Sequence, residues 1–428
     1  MSNVVYLHGQ PAPIARFLRV SEHRRLEHLL AADRLPYDRF VIEAGSLKEQ
    51  QDLVAALKQK GHELVLDTNV AELSAIAKYS GHARNAPWAN PDGVLTEAHL
   101  KAGSNEGVIS GVARFAVEHG FSRVLAPSHF VSGPRDPWFA IDLHNCAALR
   151  GALDAEGGKQ IAIDFPLMIP MRSLNDTPER RSLISRLASL PNDTIWLRIS
   201  GFGADGTAAG TRKYIAAAQD FHQLGKPVVA DGVGGLAGLA IVAFGAAAGL
   251  SYGVAARERF DASGWHKPPK PGGGGGGAQY TVLLPGVDPL LRREDADAIM
   301  NSPGGRRLAA CIDRRCCPLG FDDTRRDPKG HFLRQRAFRC DELSSVPEPM
   351  RARHYLDKDL KADERRAKLL SKLKLSDAKL SMRLVENANR LDRFSEVLGS
   401  LEQTSATATR SLGFTIRPRD AQAKKDRR

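Results

Sequence analysis

The stretch from Pro227 to Arg257 constrains the fold more than any other part of the chain. It begins with a β-branched run, Val228 to Ala230, which ends at Asp231 and continues through Gly-Val-Gly-Gly into an apolar segment rich in alanine and glycine. A second run, Leu250 to Val254, follows. An almost wholly apolar helix between two short strands must be buried, which is typical of a parallel strand, helix and strand unit. Ligand groups of such units belong at the carboxyl ends of the strands.

Runs of the same kind recur before this stretch, with room for a helix between neighbours. The eight runs are Val4 to Leu7, Phe40 to Glu43, Leu64 to Leu66, Val124 to Ala126, Ile161 to Ile163, Ile195 to Ile199, Val228 to Ala230 and Leu250 to Val254. The segments between them have helical spacing and good helix formers. Eight such units in roughly 250 residues predict a (β/α)8 TIM barrel. A doubly wound open sheet is the alternative, because it has the same alternation.

The sequence after the last predicted strand divides into three parts. A barrel of residues 1–265 is followed by residues 266–279, whose prolines and six consecutive glycines predict a flexible linker. Residues 280–345 hold four of the five cysteines and predict a small zinc-binding module. Residues 346–428 are charged, with a partial leucine stripe, and predict a basic helical tail. The predicted fold class is therefore α/β, a TIM barrel with a C-terminal zinc-binding segment and a basic helical tail.

A cysteine cluster suggests the metal. Cys311, Cys316 and Cys317 precede His331, and three thiolates with one imidazole form a common tetrahedral zinc set. Adjacent cysteines can bind one ion only if the chain turns tightly, so Cys340 is a possible substitute ligand. Free thiols in a small core are the alternative interpretation. We expect a structural zinc, because chelation lets a short segment fold without a large core of its own.

Charge and hydropathy limit the kinds of partner that the protein is expected to have. The formal net charge is +12, and residues 351–428 contribute 20 Lys and Arg against 11 Asp and Glu, or +9. This concentration of positive charge suggests a nucleic-acid partner. The alternative is that the tail only increases solubility. No apolar run is long enough to span a bilayer, and the start lacks the pattern of a secretory signal. The expectation is a cytoplasmic protein with no membrane partner.

Three aspartates, Asp67, Asp164 and Asp231, each end a predicted strand. Barrel strand ends converge, so these carboxylates could act as nucleophile, acid/base or metal ligand. An aspartate after a strand also caps the following helix, and both interpretations stay open. Ser128-His129 and Asp142 have the residue types of a hydrolase triad. The chain lacks the Gly-x-Ser-x-Gly nucleophile elbow, which argues against that activity.

The order of these parts resembles the tRNA-guanine transglycosylase superfamily, including the 7-deazaguanine DNA transglycosylases. In that family a strand ending in Gly-Val-Gly, an apolar helix, a further strand and a basic turn precede a zinc site of three cysteines and a distal histidine. Ala230-Asp-Gly-Val-Gly234, Leu250 to Val254, Arg257 and the cysteine cluster follow in that order here. Leu66-Asp67-Thr-Asn resembles the family's early Asp-Ser-Gly-Gly, and Ser200-Gly201-Phe202-Gly203 occupies the place of its base-binding strand.

The resemblance implies base exchange on DNA or tRNA, in which a free 7-deazaguanine-type base replaces guanine through a covalent glycosyl intermediate. The family's nucleophilic aspartate lies where this chain has Tyr252-Gly253, so Asp231 is the candidate nucleophile and Asp67 the candidate acid/base. The substrate-binding residues implied are Ser128, Ser200, Gly201, Gly203, Tyr252 and Arg257. Two other classes stay open: a catalytically inactive barrel retained as a nucleic-acid scaffold with protein partners, and an unrelated barrel enzyme acting on a small phosphorylated metabolite.

Overall fold

A closed barrel of eight parallel strands forms the centre of the computed structural model, which describes residues 12–78, 81–101, 107–255, 257–268, 281–404 and 411–414. Each strand pairs with the next along the chain, and the first pairs with the eighth, with Ala15 opposite Gly249. The fold is therefore the predicted (β/α)8 barrel, and the open sheet is excluded. The strands are Ala15–Arg19, Arg39–Glu43, Glu63–Asp67, Arg123–Leu125, Ala162–Pro170, Thr194–Ser200, Val228–Asp231 and Gly249–Tyr252.

Two strands differ from the sequence prediction. The first barrel strand is Ala15–Arg19, which has two arginines in five residues and so lacks an apolar pattern. The predicted run Val4 to Leu7 lies outside the described residues, so the prediction placed the first strand wrongly. The fifth strand continues through two prolines to Pro170, which leaves Asp164 near its amino end. There the Asp164 carboxylate accepts hydrogen bonds from Nε and Nη2 of Arg123, so it does not contribute to the carboxyl end.

Helices cover the barrel, and strand side chains alternate between its two faces. Leu18 and Phe40 pack outward in the core shared with the helices, whereas Phe17 and Val41 pack inside the barrel. The α-helices of this part are His23–Ala31, Gln51–Gln59, Val70–Leu73, Glu97–Lys101, Val108–Glu118, Pro137–Ala155, Met171–Asn175, Thr177–Leu187, Ala208–Gln219 and Gly235–Ala243. Shorter 3-10 turns lie at Ala44–Ser46, Gly81–Asn85 and Asp220–Leu224.

The cysteine-rich segment completes the helical layer around the barrel. Its helix Pro328–Ser344 contacts the helix Gly235–Ala243, and the Tyr37 hydroxyl donates to the Leu333 carbonyl at 3.4 Å. This helix therefore takes the place of the eighth outer helix. The other elements of this segment are the hairpin strands Thr281–Leu284 and Val287–Arg292 and the helices Arg293–Asn301, Gly305–Ala309 and Phe321–Arg326.

Much of the predicted basic tail is part of the hydrophobic core. Tyr355, Leu391 and Phe394 are fully buried, and the Tyr355 hydroxyl donates to the Leu236 carbonyl at 3.0 Å. Its elements are the helices Arg351–His354, Lys361–Leu370 and Ala378–Thr404, a π-helix at Tyr355–Leu360 and a 3-10 turn at Glu348–Met350. Among the described residues, no helix combines the length and apolar character that crossing a membrane requires.

Candidate active site and metal centre

Arg19 joins Asp67 and Asp231 at the carboxyl end of the barrel, which we call the barrel mouth. Its Nε and Nη2 lie 2.9 and 2.6 Å from the two carboxylate oxygens of Asp231, and its Nη1 lies 2.5 Å from Oδ2 of Asp67. The three residues end the first, third and seventh strands, so barrel closure brings them together. The two aspartates that the sequence singled out therefore face one space, separated by one guanidinium. Arg19 itself was missed because the first strand was placed wrongly.

Asp231 does not cap the glycine-rich helix that follows it. The N–H groups of Gly235 and Leu236 donate instead to Glu258, at 3.1 Å, and to Asp288, at 3.2 Å. Burial alone would raise the pKa of Asp231, but the charges of Arg19 and Arg198 lower it below its ordinary value. The carboxylate is therefore held in its ionised form, which is the form that a nucleophile needs.

Two glutamates that the sequence analysis missed lie near Asp67, and one of them, Glu72, shares Arg198 with Asp231 at 3.9 and 3.6 Å. Burial and the charge of Asp67 raise the pKa of Glu72 to about 7, and burial raises the pKa of Glu43. An ionised Asp231 is thus accompanied by a glutamate that exchanges its proton near neutral pH. Carboxyl groups whose pKa values are pushed apart are the usual basis of acid/base chemistry at a single site. No local sequence signal marks Glu72, because only the fold brings it near Asp67 and Arg198.

Replacing Glu72 with glutamine is expected to stabilise the protein above neutral pH. Folding raises the pKa of this group, so its contribution to stability is complete at acidic pH and is lost as the pH rises towards 7. A shift of this size is worth about 3 kcal/mol at most, and the 21% exposure of the side chain reduces the expected gain to about 1–2 kcal/mol. Urea unfolding should show this gain at pH 8 and a smaller one at pH 5. An equal gain at both values would contradict the assignment.

The segment after the eighth strand covers the barrel mouth. Arg259–Phe260 pairs antiparallel with Phe202–Gly203, and the guanidinium of Arg198 lies 4.3 Å from the centre of the Phe260 ring. A Cβ atom added to Gly203 would lie 2.6 Å from the Cα of Arg259, so only glycine allows this close pairing. A small cavity at the mouth, whose lining includes Asp67, Glu72, Ser128 and Arg198, has a volume of about 10 Å³, roughly that of one water molecule. A nucleobase could enter only if the cover and the Arg19 side chain moved.

The other predicted substrate-binding residues are distributed unevenly around this mouth. Ser128 is buried and lines the small cavity, where its hydroxyl donates to the Ala126 carbonyl. Ser200 and Gly201 are hydrogen-bonded to the covering segment: the Ser200 hydroxyl accepts from the Ala262 N–H, and the N–H of the exposed Gly201 donates to the Phe260 carbonyl, both at 2.9 Å.

Arg257 and Tyr252 lie outside the small cavity. The Arg257 side chain is exposed to solvent. Tyr252 is buried in the core shared with the outer helices, and its hydroxyl lies 3.2 Å from the hydroxyl of Tyr37. Tyr252 therefore does not face the carboxylates. The strand alternation explains this, because the preceding residue, Ser251, is paired with Asp231 on the neighbouring strand.

His129 and Asp142 pair as a hydrolase triad would, but the hydroxyl beside them belongs to Ser74 rather than Ser128. Nδ1 of His129 lies 2.5 Å from Asp142, and Nε2 lies 3.0 Å from the Ser74 hydroxyl. The imidazole is only 3% exposed and stacks on Trp138 with ring centres 4.1 Å apart. These contacts fix the chain between the fourth strand and the helix that follows it.

The cysteine cluster has the dimensions of a metal site. The ligand atoms of Cys311, Cys316, Cys317 and His331 all lie within 4.8 Å of one another, and all four residues are buried. The two adjacent sulfurs lie 3.7 Å apart, close to the roughly 3.8 Å edge of a tetrahedron with zinc–sulfur bonds of about 2.3 Å. The Asp313 carbonyl accepts from the N–H groups of both Cys316 and Cys317, which forms the tight turn that adjacent ligands require. A buried Cys₃His set that could hold a metal ion is therefore present.

The orientation of His331 fits the same role. Its Nε2 lies 3.1 Å from the Leu283 carbonyl, so this nitrogen donates its proton and leaves Nδ1 free towards the sulfurs of Cys316 and Cys317, at 3.4 and 3.3 Å. A second hydrogen bond of this kind is the usual way in which a protein orients a metal-binding histidine. Cys340 lies elsewhere, in the core beside Tyr37 and Arg16, and is not a ligand.

Comparisons with known proteins bear on the fold only. Neither a protein-family profile nor a curated protein matches the sequence. A mandelate racemase/muconate lactonizing family protein from Azoarcus is similar at 17% identity and a TM-score of 0.29, over 55% of this chain and 48% of the other, so the match spans about half of that protein. The chain is also similar to a Penicillium canescens endo-1,4-β-xylanase, at 10% identity and a TM-score of 0.37, over 56% of this chain and 82% of the xylanase. A Bacteroides ovatus GH26 β-mannanase is similar at 10% identity and a TM-score of 0.36, over 61% of this chain and 85% of the mannanase.

Proposed function

We propose that the chain is a base-exchange transglycosylase acting on a nucleic acid, with its active site at the barrel mouth. The observation that carries the proposal is the convergence of Asp67 and Asp231 on Arg19. Covalent base exchange needs an ionised carboxylate to attack C1′ of the nucleotide, and a second group to move protons on the departing and entering bases. Asp231 meets the first requirement, and Asp67 with Glu72 meets the second.

The proposed reaction has two matching halves. An oxygen of Asp231 bonds to C1′ as the bond from C1′ to the base breaks, and the electron pair of that bond goes to the departing base, which takes a proton from Asp67 or Glu72. The entering base then returns a proton to the same carboxylate, and its nitrogen attacks C1′ to release Asp231. Ser128, Ser200 and the backbone at Gly201 and Gly203 would read the base, and Arg257 would contact phosphate.

The Cys₃His set would hold zinc in this proposal. All four ligands are of types that zinc prefers, thiolate and imidazole, and the set is complete without a water ligand, as in structural sites. Such a site would fix the hairpin Thr281–Leu284 and Val287–Arg292 to the helix that begins at Pro328. Because that helix completes the outer layer of the barrel, the expected role of zinc is to stabilise the fold and not to take part in base exchange.

One observation favours the alternative of an inactive nucleic-acid scaffold within a larger assembly. Arg19 bridges Asp67 and Asp231, Phe260 covers the guanidinium of Arg198, and the cavity beside Asp67 has a volume of only about 10 Å³. If the chain is a transglycosylase, the nucleic acid must displace the Phe260 cover when it binds. The Arg19 guanidinium must then release one of the two aspartates and pair with a group of the substrate. In a scaffold, the ion pairs would serve stability alone.

An exchange assay separates these possibilities. The full chain is incubated with duplex DNA or tRNA and a labelled 7-deazaguanine-type base, and incorporation and denaturation-resistant protein–nucleic acid adducts are measured. Incorporation supports the proposal. Binding at moderate salt without incorporation or adduct supports the scaffold, and absence of both binding and exchange leaves the enzyme acting on a phosphorylated metabolite.

Removal of residues 415–428 is expected to weaken polynucleotide binding while leaving the fold intact. This segment contains six Lys and Arg against two Asp, and the slope of log affinity against log salt should fall by about 0.9 for each phosphate that the protein no longer neutralises. The larger deletion from Arg351 would remove Tyr355 and Leu391 from the core and so test folding instead. A variant of full length with those six residues changed to glutamine is the matched control. Unchanged affinity and slope in both would show that this segment does not bind nucleic acid.

A further inference from the structure

A cavity of about 290 Å³ lies between the hairpin Thr281–Leu284 and Val287–Arg292, the cysteine cluster and the C-terminal helices. Neither Asp67 nor Asp231 lines it, so it is separate from the barrel mouth. Its size approaches the lower end of the range for small-molecule sites. The ionic side chains in its lining are Asp288, Asp313, Asp363, Arg315, Arg336, Arg339 and Arg366.

Two of the three aspartates are already neutralised by arginines. Asp363 accepts two hydrogen bonds from Arg339, at 2.6 and 3.0 Å. Asp288 pairs with Arg390 and also accepts from the Leu236 N–H. These carboxylates therefore present little negative charge to the cavity.

Arg336 and Arg366 keep unused hydrogen-bond donors. Arg336 is 4% exposed and donates to Glu258 through Nη2, but its Nε is buried with no hydrogen-bond partner among the described residues. A buried donor without a partner costs free energy, which a ligand could recover. Arg366 is half-buried, and in the described part of the chain no carboxylate pairs with it. Gly286 holds it in place: its φ is +81°, and an added Cβ would lie 2.7 Å from the Arg366 Cγ.

The third aspartate offers an acceptor in the same cavity. Oδ2 of Asp313 is buried with no hydrogen-bond partner among the described residues, and the Nε of Arg334 lies 3.9 Å away, beyond hydrogen-bond distance. Oδ1 accepts from the N–H of Arg315, whose side chain is 73% exposed. The cavity thus combines unused cationic donors with one carboxylate oxygen that accepts no hydrogen bond from the described residues, although the Nε atoms of Arg315 and Arg334 each lie 3.9 Å from an oxygen of that carboxylate.

We propose that this cavity binds the phosphate and a hydroxyl group of a sugar phosphate. Guanidinium groups match phosphate oxygens in paired hydrogen bonds, and a phosphate has enough acceptors for Arg336, Arg366 and Arg315 together. The Asp313 carboxylate would accept from a sugar hydroxyl, which inorganic anions lack. Such a group is carried either by a free phosphorylated sugar or by the 5′-phosphorylated end of an RNA strand, whose first ribose keeps its 2′-hydroxyl.

Calorimetric titration of the full chain tests the proposal with two probes, ribose 5-phosphate and a 5′-phosphorylated triribonucleotide, and with ribose and the 5′-hydroxyl triribonucleotide as ligand controls. Arg366→Gln should weaken binding of the phosphorylated probe at least tenfold. Arg365→Gln is the matched control, because Arg365 is exposed on the same helix and, among the described residues, donates only to the Lys361 carbonyl. The affinity of the Arg365→Gln variant for the phosphorylated probe should remain within twofold of that of the parent chain.

The outcomes are distinct. Binding of ribose 5-phosphate identifies a free phosphorylated sugar as the source, and binding of the trinucleotide alone identifies a strand end; both support the site. The proposal is overturned if neither probe binds, if removal of the phosphate makes no difference, or if the two arginine variants lose affinity equally. Asp231→Asn should leave this binding unchanged, so failure of the transglycosylase proposal and failure of this one can be told apart.

Discussion

Asp231→Asn is expected to abolish base exchange and the trapping of a covalent adduct while leaving nucleic-acid binding nearly intact. Asparagine keeps the shape of the side chain but cannot supply the ionised oxygen that attacks C1′. The expected loss in turnover is at least about a thousandfold, as for other groups that act in the bond-making step. Single-turnover incorporation of a labelled base, measured beside a binding titration at fixed salt, gives both quantities.

Asp164→Asn is the matched control for that experiment. Asp164 is also a buried carboxylate held by two nitrogens of one arginine, Arg123, but it lies near the amino end of its strand. Both variants lose a buried ion pair, so both should lower the free energy of unfolding by about 3–5 kcal/mol. Only Asp231→Asn should lose more base-exchange activity than its lower stability explains. Equal losses in the two variants would mean that the ion pairs at the mouth serve stability alone.

Cys316→Ser is expected to remove the metal and to lower stability sharply. The parent chain purified without chelator should contain about one zinc, because the Cys₃His set supplies four ligands. Without one thiolate ligand, the metal would no longer hold the turn at Asp313 to the start of the helix at Pro328. The melting temperature should fall by at least about 5 °C, and chelation of the parent chain should have a similar effect. Elemental analysis and thermal unfolding measure the two results.

Cys340→Ser separates metal loss from the loss of a buried thiol. Cys340 is buried in the main core and lies apart from the cluster, so its replacement should cost stability without changing the zinc content. Absence of zinc from the parent chain would contradict the metal assignment. Equal zinc content in the parent chain and in Cys316→Ser would contradict it as well.

The barrel could be predicted because seven of its eight strands are short apolar runs with helical segments between them. The first strand could not, since Arg16 and Arg19 interrupt its apolar pattern, and the charge of each is matched only by partners distant in sequence, such as Asp341 and Asp231. The length of the fifth strand was also hidden, because two prolines lie within it. The pattern of apolar residues in a sequence predicts which strands are buried. It does not show that a charged residue within a strand is paired with a partner distant in sequence.

The candidate sites divide in the same way. The four residues that could hold a metal ion were found from sequence because such a set needs particular ligand types close together along the chain. The turn at Asp313 then allows Cys316 and Cys317 to face the same point. At the mouth, the sequence could nominate Asp67 and Asp231 as strand ends. It could not reveal Arg19 between them, which depends on distances across the barrel, or the raised pKa of Glu72, whose largest cause is burial.

The sequence by itself determined the strand and helix alternation, the Cys₃His set that could hold a metal ion and the two aspartates at the strand ends, since each depends on residue type and local spacing. Only the tertiary structure decided that Asp231 is paired with Arg19 instead of capping a helix, that Tyr252 faces the outer helices, and that the charged helices after Arg351 belong to the core. The physical reason is that burial and ion pairing depend on which residues meet in space. In a closed barrel, those partners come from strands far apart along the chain.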